Sequence, residues 1–187
     1  PARVDSPDNP MLNRAIQGLF SPGSMFKLVM AAAGLETGTI VPQTTAFCSG
    51  SALIYGRRFR CWFEAGHGAV DLYEAIRHSC NIYFYSIGRR MSVDTIAAYA
   101  TDFGLGRRTG IDIPGEREGL VPTTEWKRRV MKEDWYPGET ISVAIGQGPL
   151  QVTPIQVAAM TAAIANRGTS VHPRLSLEKP TEAGIIR

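Results

Sequence analysis

Phe20-Ser21-Pro22-Gly23-Ser24-Met25-Phe26-Lys27, continued by Leu28-Val29-Met30-Ala31-Ala32-Ala33-Gly34-Leu35, is the stretch from which the rest of the chain is read. Pro22-Gly23 forms a turn, and the Met, Phe, Lys, Leu and Ala that follow have the composition of a helix starting at or beside Ser24 and ending between Gly34 and Gly38. Residues three apart are neighbours on one helix face, so the Lys27 amine is expected one turn above the Ser24 hydroxyl. A serine hydroxyl is a weak nucleophile until a base takes its proton, and lysine is such a base only as the free amine. Burial against Phe26, Leu28 and Ala31, with the positive helix end nearby, predicts a lowered Lys27 pKa. The same helix end offers backbone N–H groups to a developing oxyanion. Ser-x-x-Lys also arises by chance, and a capping serine with a solvated lysine is its commoner meaning. The motif therefore takes its meaning from what accompanies it.

A chain of 187 residues, 44% hydrophobic and 20% charged, suits one domain with a real core and is neither disordered nor fibrous. The net charge of +3 is small, and the pairs Arg57-Arg58, Arg89-Arg90, Arg107-Arg108 and Arg128-Arg129 are scattered, without interleaved stacking aromatics. They read as solvated surface, and nucleic-acid binding has no support. No apolar run reaches the length of a membrane span and no signal peptide stands at Pro1, so if the parent protein has an anchor it is expected to lie outside this sequence.

Met11 to Gly18 reads as a short helix leading into the Ser24 turn. Residues 39–70 change character to Gly, Ser, Pro and aromatics, with Leu53-Ile54-Tyr55 and Phe59-Arg60-Cys61-Trp62-Phe63 flanking Gly56-Arg57-Arg58. That is a small hairpin within a long excursion. Asp71-Leu72-Tyr73-Glu74 is a capping box opening a helix to about His78, a second helix carries Ile82, Phe84, Tyr85 and Ile87 to Gly88, and Ser92 caps a third that Gly104 stops. Gly104 to Pro122 reads as connection, with Ile111-Asp112-Ile113 extended; Thr153-Pro154-Ile155-Gln156 then opens the last helix with cap, proline and capping-box signals together. Trp62, Trp126 and Trp135 read as packing residues, His78 and His172 as surface or satisfied histidines, and Asp112 and Glu116 as solvated loop acids.

Ser79-x-Asn81 sets a hydroxyl and an amide two residues apart at the junction of two helices, where both can face one cleft while Cys80 faces away. Gly146-Gln147-Gly148 adds a tight backbone segment ahead of the capped Thr153-Pro154-x-Gln156 helix. Ser24-x-x-Lys27, Ser79-x-Asn81 and this stretch, in that order, resemble the penicillin-binding transpeptidases, which share Ser-x-x-Lys and a Ser-x-Asn signature. The similarity covers nearly the whole chain, through Asn13-Arg14-Ala15-Ile16-Gln17, Gly66-His67-Gly68, Gly104-Leu105-Gly106, Thr109-Gly110-Ile111-Asp112 and Ala165-Asn166-x-Gly168. It is greatest with the monofunctional (class B) members of the cell-elongation machinery.

The resemblance implies an α/β (α+β) serine transpeptidase or β-lactamase-like fold, with residues 1–187 a partial transpeptidase domain, mainly its helix-rich portion. It implies that Ser24 is acylated by the D-Ala-D-Ala carbonyl of a peptidoglycan stem peptide or by a β-lactam, with Lys27 as proton acceptor. Ser79 would be the proton shuttle to the leaving group and Asn81 a donor to the bound peptide. The Ser24 N–H and one from a further strand would form the oxyanion hole, and no catalytic cofactor is needed. It further implies a periplasmic, extracytoplasmic location, an inner-membrane anchor in the intact protein, and a membrane glycan polymerase as partner. The family's third motif, Lys-Thr-Gly on an edge strand, is missing; Lys179-Pro180-Thr181 does not replace it, because a central proline cannot hydrogen-bond substrate as that strand does. The strand is thus expected outside this sequence. A serine β-lactamase and a non-hydrolysing β-lactam sensor remain alternatives. The first also needs a group to activate water, and no carboxylate or modified lysine can be placed over Ser24.

Cysteine spacing gives a separate expectation. Cys48, Cys61 and Cys80, with His67, read C-x12-C-x5-H-x12-C. Three thiolates and an imidazole are a structural zinc set, although these gaps exceed those of compact zinc fingers. With Ser79 and Asn81 facing the cleft, Cys80 faces inward towards the excursion that carries the other three. His78 is a weaker fourth ligand than His67. A Cys48–Cys61 disulfide and three independent buried thiols are the competing readings.

Overall fold

The computed structural model describes residue 9 and residues 11–176. Its helices are α1 (Arg14–Gln17), α2 (Lys27–Glu36), α3 (Leu72–Arg77), α4 (Asn81–Gly88), α5 (Val93–Asp102), α6 (Thr124–Val130), α7 (Pro137–Val143) and α8 (Pro154–Ala165). A single 3₁₀ turn, Gly23–Phe26, precedes α2. Four short strands, β1 (Ala46–Cys48), β2 (Ser51–Ile54), β3 (Arg57–Arg60) and β4 (Gly68–Val70), form two antiparallel pairs, β1 with β4 and β2 with β3.

The core is built on α4, whose residues are apolar all round and buried on almost every side: Ile82, Tyr83, Phe84, Tyr85 and Ile87. Such a helix is stable only when covered. Phe26 of the 3₁₀ turn and Val29, Met30 and Ala33 of α2 cover it, as do Ile141 and Val143 of α7 with the Ala144 that follows, and α5 adds Ile96 and Ala100 to the cluster. Gly88 lets α7 approach, since a Cβ there would lie 2.8 Å from that of Ala144. The two helices bearing the sequence motifs, α2 and α4, are thereby packed directly against each other.

Local signals set most boundaries. Asn13, Asp71, Ser92, Thr123 and Thr153 each accept a backbone N–H from the helix they precede, satisfying one orphan donor. The Thr153–Gln156 box is reciprocal, with Gln156 Oε1 taking the Thr153 N–H at 3.3 Å. The Asp71 box is only half made, because the Glu74 carboxylate turns to Arg77 and His78 instead.

Several expectations are corrected. The helix at Ser24 begins as 3₁₀ and turns α only at Lys27. The hairpin turns at Tyr55-Gly56, both at positive φ (49° and 75°), so Arg57 and Arg58 belong to a strand while Cys61-Trp62-Phe63 lies beyond it. Two residues with φ above zero match the strand twist of a tight hairpin. The β1–β4 pair joins segments twenty residues apart, beyond the reach of a local pattern. Ile111–Ile113 forms no strand, and α6 and α7 occupy a stretch too short and too polar to show a helical period. Among the described residues no helix is long and apolar enough to cross a membrane. Lys179-Pro180-Thr181 lies outside them.

Candidate active site

Ser24 lies in the 3₁₀ turn, a position whose N–H has no acceptor within the helix. Two contacts from the far end of the chain fix that turn. Phe20 and Val152 form an antiparallel bridge, and the Gly23 N–H donates to the Gly146 carbonyl at 3.0 Å. Gly146 has to be glycine, since a Cβ there would sit 2.1 Å from the Gly23 oxygen and its φ is +71°. The Gly146-Gln147-Gly148 stretch is therefore the backbone seat of the Ser24 turn.

Ser79 is positioned by the way α3 ends. The Cys80 N–H donates to Ala75 O (2.9 Å) and the Ser79 N–H to Ile76 O (3.1 Å), the two bonds of a Schellman motif. The position between them requires a left-handed residue, and Ser79 has φ +51°. Glycine is the usual occupant; a serine here accepts about 1–2 kcal/mol of backbone cost. The turn aims both the carbonyl and the hydroxyl of Ser79 at Lys27, and α4 starts at once with Asn81.

The four side chains form one hydrogen-bonded chain. Lys27 Nζ donates to Ser79 O (2.7 Å), Ser79 Oγ (2.9 Å) and Asn81 Oδ1 (2.7 Å), and Ser79 Oγ donates to Ser24 Oγ at 2.9 Å. The Ser24–Lys27 link thus runs through the Ser79 hydroxyl, which is bonded to both, rather than directly up the helix. Three acceptors match the three N–H bonds of an ammonium. Burial, with Lys27 only 3% exposed, lowers its pKa from 10.5 to about 8, against the opposing pull of the Cys61 and Cys80 thiols when ionised. Lys27 Nζ lies 5.6 Å from the Phe84 ring centroid. Asn81 Nδ2 reaches the Arg60 carbonyl at 3.4 Å.

Directly behind this chain, Cys48, Cys61, His67 and Cys80 place their ligand atoms within 4.8 Å of one another. All three cysteines are buried and free, so Cys48 and Cys61 are not disulfide-bonded. His67 Nδ1 lies 3.5 Å from Cys48 Sγ and 3.6 Å from Cys61 Sγ. Burial first, then the neighbouring His78 and Lys27, holds His67 below its ordinary pKa, which keeps the imidazole neutral. Burial also pushes Cys80 up to about 12, with the other two thiols adding to it. Burial acts on Cys61 in the same direction, but backbone N–H groups of Phe63, Asn81 and Ile82 outweigh it and lower its pKa. His78 stacks on His67 at 5.5 Å and pairs with Glu74, outside the four.

The Ser24 cleft, about 410 Å³, is lined by Gly23, Ser24, Trp62, Ser79, Asn81, Ile145 and Gln147. Trp62, expected to be a packing residue, is 63% exposed and forms a wall of the cleft, with its indole N–H on His78 O at 2.9 Å. Its place beside Cys61 and four residues before Gly66-His67-Gly68 was the available signal. Trp135 does pack, donating to Thr140 Oγ1. Glu116 and Asp112 are staples rather than solvated acids: Glu116 accepts from Thr109 N, Thr109 Oγ1 and Gly110 N, and Asp112 from Leu175 N and Ser176 N.

Comparison with known proteins fits this geometry. A family model described as penicillin binding protein transpeptidase domain matches residues 2–184. The chain is 43% identical over 173 residues to the peptidoglycan D,D-transpeptidase MrdA of Acinetobacter baumannii, covering 91% of this chain and 26% of that protein. Among solved structures it resembles Pseudomonas aeruginosa PBP2 in complex with WCK 5153 (TM-score 0.90, 41% identity, 93% of this chain and 38% of that one). It equally resembles PBP2 of Helicobacter pylori in complex with MreC (TM-score 0.90, 36% identity, 95% and 33%).

Proposed function

Because the chain belongs to the penicillin-binding protein transpeptidase family, we propose that it is the motif-bearing helical part of a peptidoglycan D,D-transpeptidase of the PBP2 type, acylated on Ser24. The observation that carries this is the Ser24–Ser79–Lys27 hydrogen-bond chain. When Lys27 is neutral, the chain reverses: the Ser24 O–H donates to Ser79 Oγ and the Ser79 O–H donates to Lys27 Nζ. Ser24 Oγ then attacks the D-Ala-D-Ala carbonyl, its proton moves through Ser79 to Lys27, and the same path returns a proton to the leaving amine. Asn81 holds Lys27 through Oδ1 and presents Nδ2 to the substrate once its long bond to Arg60 O is given up. The Ser24 N–H is one oxyanion donor; the second, and the Lys-Thr-Gly strand, come from the rest of the protein.

The same reading assigns a structural zinc ion to Cys48, Cys61, His67 and Cys80. Zn–S of about 2.3 Å and Zn–N of about 2.0 Å at a tetrahedral angle put S and N about 3.5 Å apart, against 3.5 and 3.6 Å here. The ion would tie the 39–70 excursion to the back of Ser79-x-Asn81 and take no part in acyl transfer. A stem peptide and β-lactams are the ligands. The intact protein acts outside the cytoplasm, anchored in the inner membrane beside a glycan polymerase.

Incubating the full-length protein with a labelled penicillin tests the assignment. One adduct per molecule, mapped to Ser24 and lost in Ser24→Ala, is expected. A label that survives Ser24→Ala overturns it, and rapid release of hydrolysed nitrocefin would point to a β-lactamase instead.

A further inference from the structure

Every thiol of the chain, Cys48, Cys61 and Cys80, lies in one cluster, yet the three belong to two separate parts of the fold. Cys48 ends β1 and Cys61 follows β3, both within the 39–70 excursion that also carries His67. Cys80 alone stands on the body, between Ser79 and Asn81 at the junction of α3 and α4. Within the excursion the backbones around Cys48 and Cys61 are already held together. The Cys61 N–H donates to Gly50 O at 2.8 Å, a Cβ on Gly50 would run into the Glu64 carbonyl, and one on Gly66 would run into that of Cys48. Only glycine fits at both places, and this draws residues 48–50 against 61–66. The Cys48 thiol is hydrogen-bonded to the sulfurs of both Cys61 and Cys80.

Three reduced thiols are out of keeping with the oxidising, extracytoplasmic space in which the transpeptidase reading places the protein. Ligation to zinc holds such sulfurs as thiolates, and the thiolate is the form that oxidants attack. Burial decides which oxidants reach them. Cys48, Cys61 and Cys80 are 1%, 4% and 0% exposed, so a disulfide-bearing protein cannot approach, whereas a small neutral molecule can diffuse in. Their odd number leaves one sulfur alone whenever two pair.

We propose that this cluster is a redox-modification site, where hydrogen peroxide joins Cys48 to Cys61, frees the zinc ion and unties the excursion from Ser79-x-Asn81, slowing acylation of Ser24. The inference rests on the zinc reading and goes beyond it. One sulfur of the pair attacks the peroxide, whose O–O bond breaks to give a sulfenic acid and hydroxide. The other sulfur then displaces hydroxide from the first, and the S–S bond forms. The two sulfurs give up two electrons between them, and both peroxide oxygens end as hydroxide. Cys48 and Cys61 are the favoured pair because neither has to leave the excursion, whereas a bond to Cys80 would have to draw on the wall that carries Ser79 and Asn81. Cys80 and His67 alone are too few ligands to hold the ion. Between the two parts there then remain such polar ties as the Asn81–Arg60 bond at 3.4 Å and the Trp62–His78 bond at 2.9 Å.

The test treats the zinc-containing full-length protein with hydrogen peroxide and follows zinc release to a chromogenic chelator, the disulfide by peptide mapping, and acylation by a labelled penicillin. About one zinc per chain should appear in step with a Cys48–Cys61 disulfide. Acylation should fall about tenfold, as when the support behind a site is lost, and dithiothreitol with added zinc should restore it. Cys48→Asp keeps a zinc-ligating oxygen and removes the pair. It should retain its zinc under peroxide and stay within about twofold of its own untreated acylation rate; should that variant not fold, the wild-type map and zinc release decide alone. Zinc-containing protein that peroxide leaves uncrosslinked overturns the proposal, as does a disulfide to Cys80, unchanged acylation after full crosslinking, or a loss that dithiothreitol and zinc do not restore. Protein that carries no zinc before treatment takes down the zinc reading itself, an outcome distinct from any of these.

Discussion

Ser79 combines a left-handed backbone with a side chain the reaction needs, and substitution separates the two. Ser79→Gly relieves about 1–2 kcal/mol of αL cost, offset by about 0.5–1 kcal/mol for the freer unfolded chain. It also removes the Oγ bonds to Lys27 and Ser24, leaving Lys27 the Ser79 carbonyl at 2.7 Å and Asn81 Oδ1 at 2.7 Å. Ser79→Ala loses the same hydroxyl but keeps the strained backbone at φ +51°. The two variants should therefore lose acylation equally, by about a hundredfold or more as expected for a proton-transfer group. In stability they should differ by about 1 kcal/mol in favour of glycine, or a Tm about 2–4 °C higher. Thermal unfolding and labelled-penicillin kinetics on the full-length proteins give both quantities. If Ser79→Ala is as stable as Ser79→Gly, the backbone there carries no cost; if Ser79→Gly acylates normally, the hydroxyl is not in the proton path.

Two further outcomes are expected. With the Lys27 pKa lowered to about 8, and the neutral amine as the active form, acylation should rise with pH, about tenfold from pH 7 to a plateau above about pH 9. Lys27→Arg, charged throughout, should be inactive at every pH; a flat wild-type profile would exclude Lys27 as the base. Protein purified without added metal should contain about one zinc per chain, and chelation or Cys61→Ser should lower both Tm and acylation, because the cluster backs Ser79-x-Asn81. Metal-free protein with a Cys48–Cys61 crosslink would remove the zinc assignment.

The sequence by itself determined whatever depends on a few neighbouring residues. The turn before Ser24, the caps at Asp71, Ser92 and Thr153, and the opposite facing of Cys80 against Ser79 and Asn81 follow from backbone geometry within one or two turns. The cysteine and histidine spacing proposed a cluster that folding does gather, though only packing could bring Cys48 to Cys80. Helices α6 and α7 were invisible because their surfaces are decided by what they pack on, not by their own period. Tertiary structure alone decided that Ser79 stands between Ser24 and Lys27 and that Trp62 walls the cleft. Each of these joins residues far apart in the chain, and their meeting is fixed by the packing of α2 and α7 on α4.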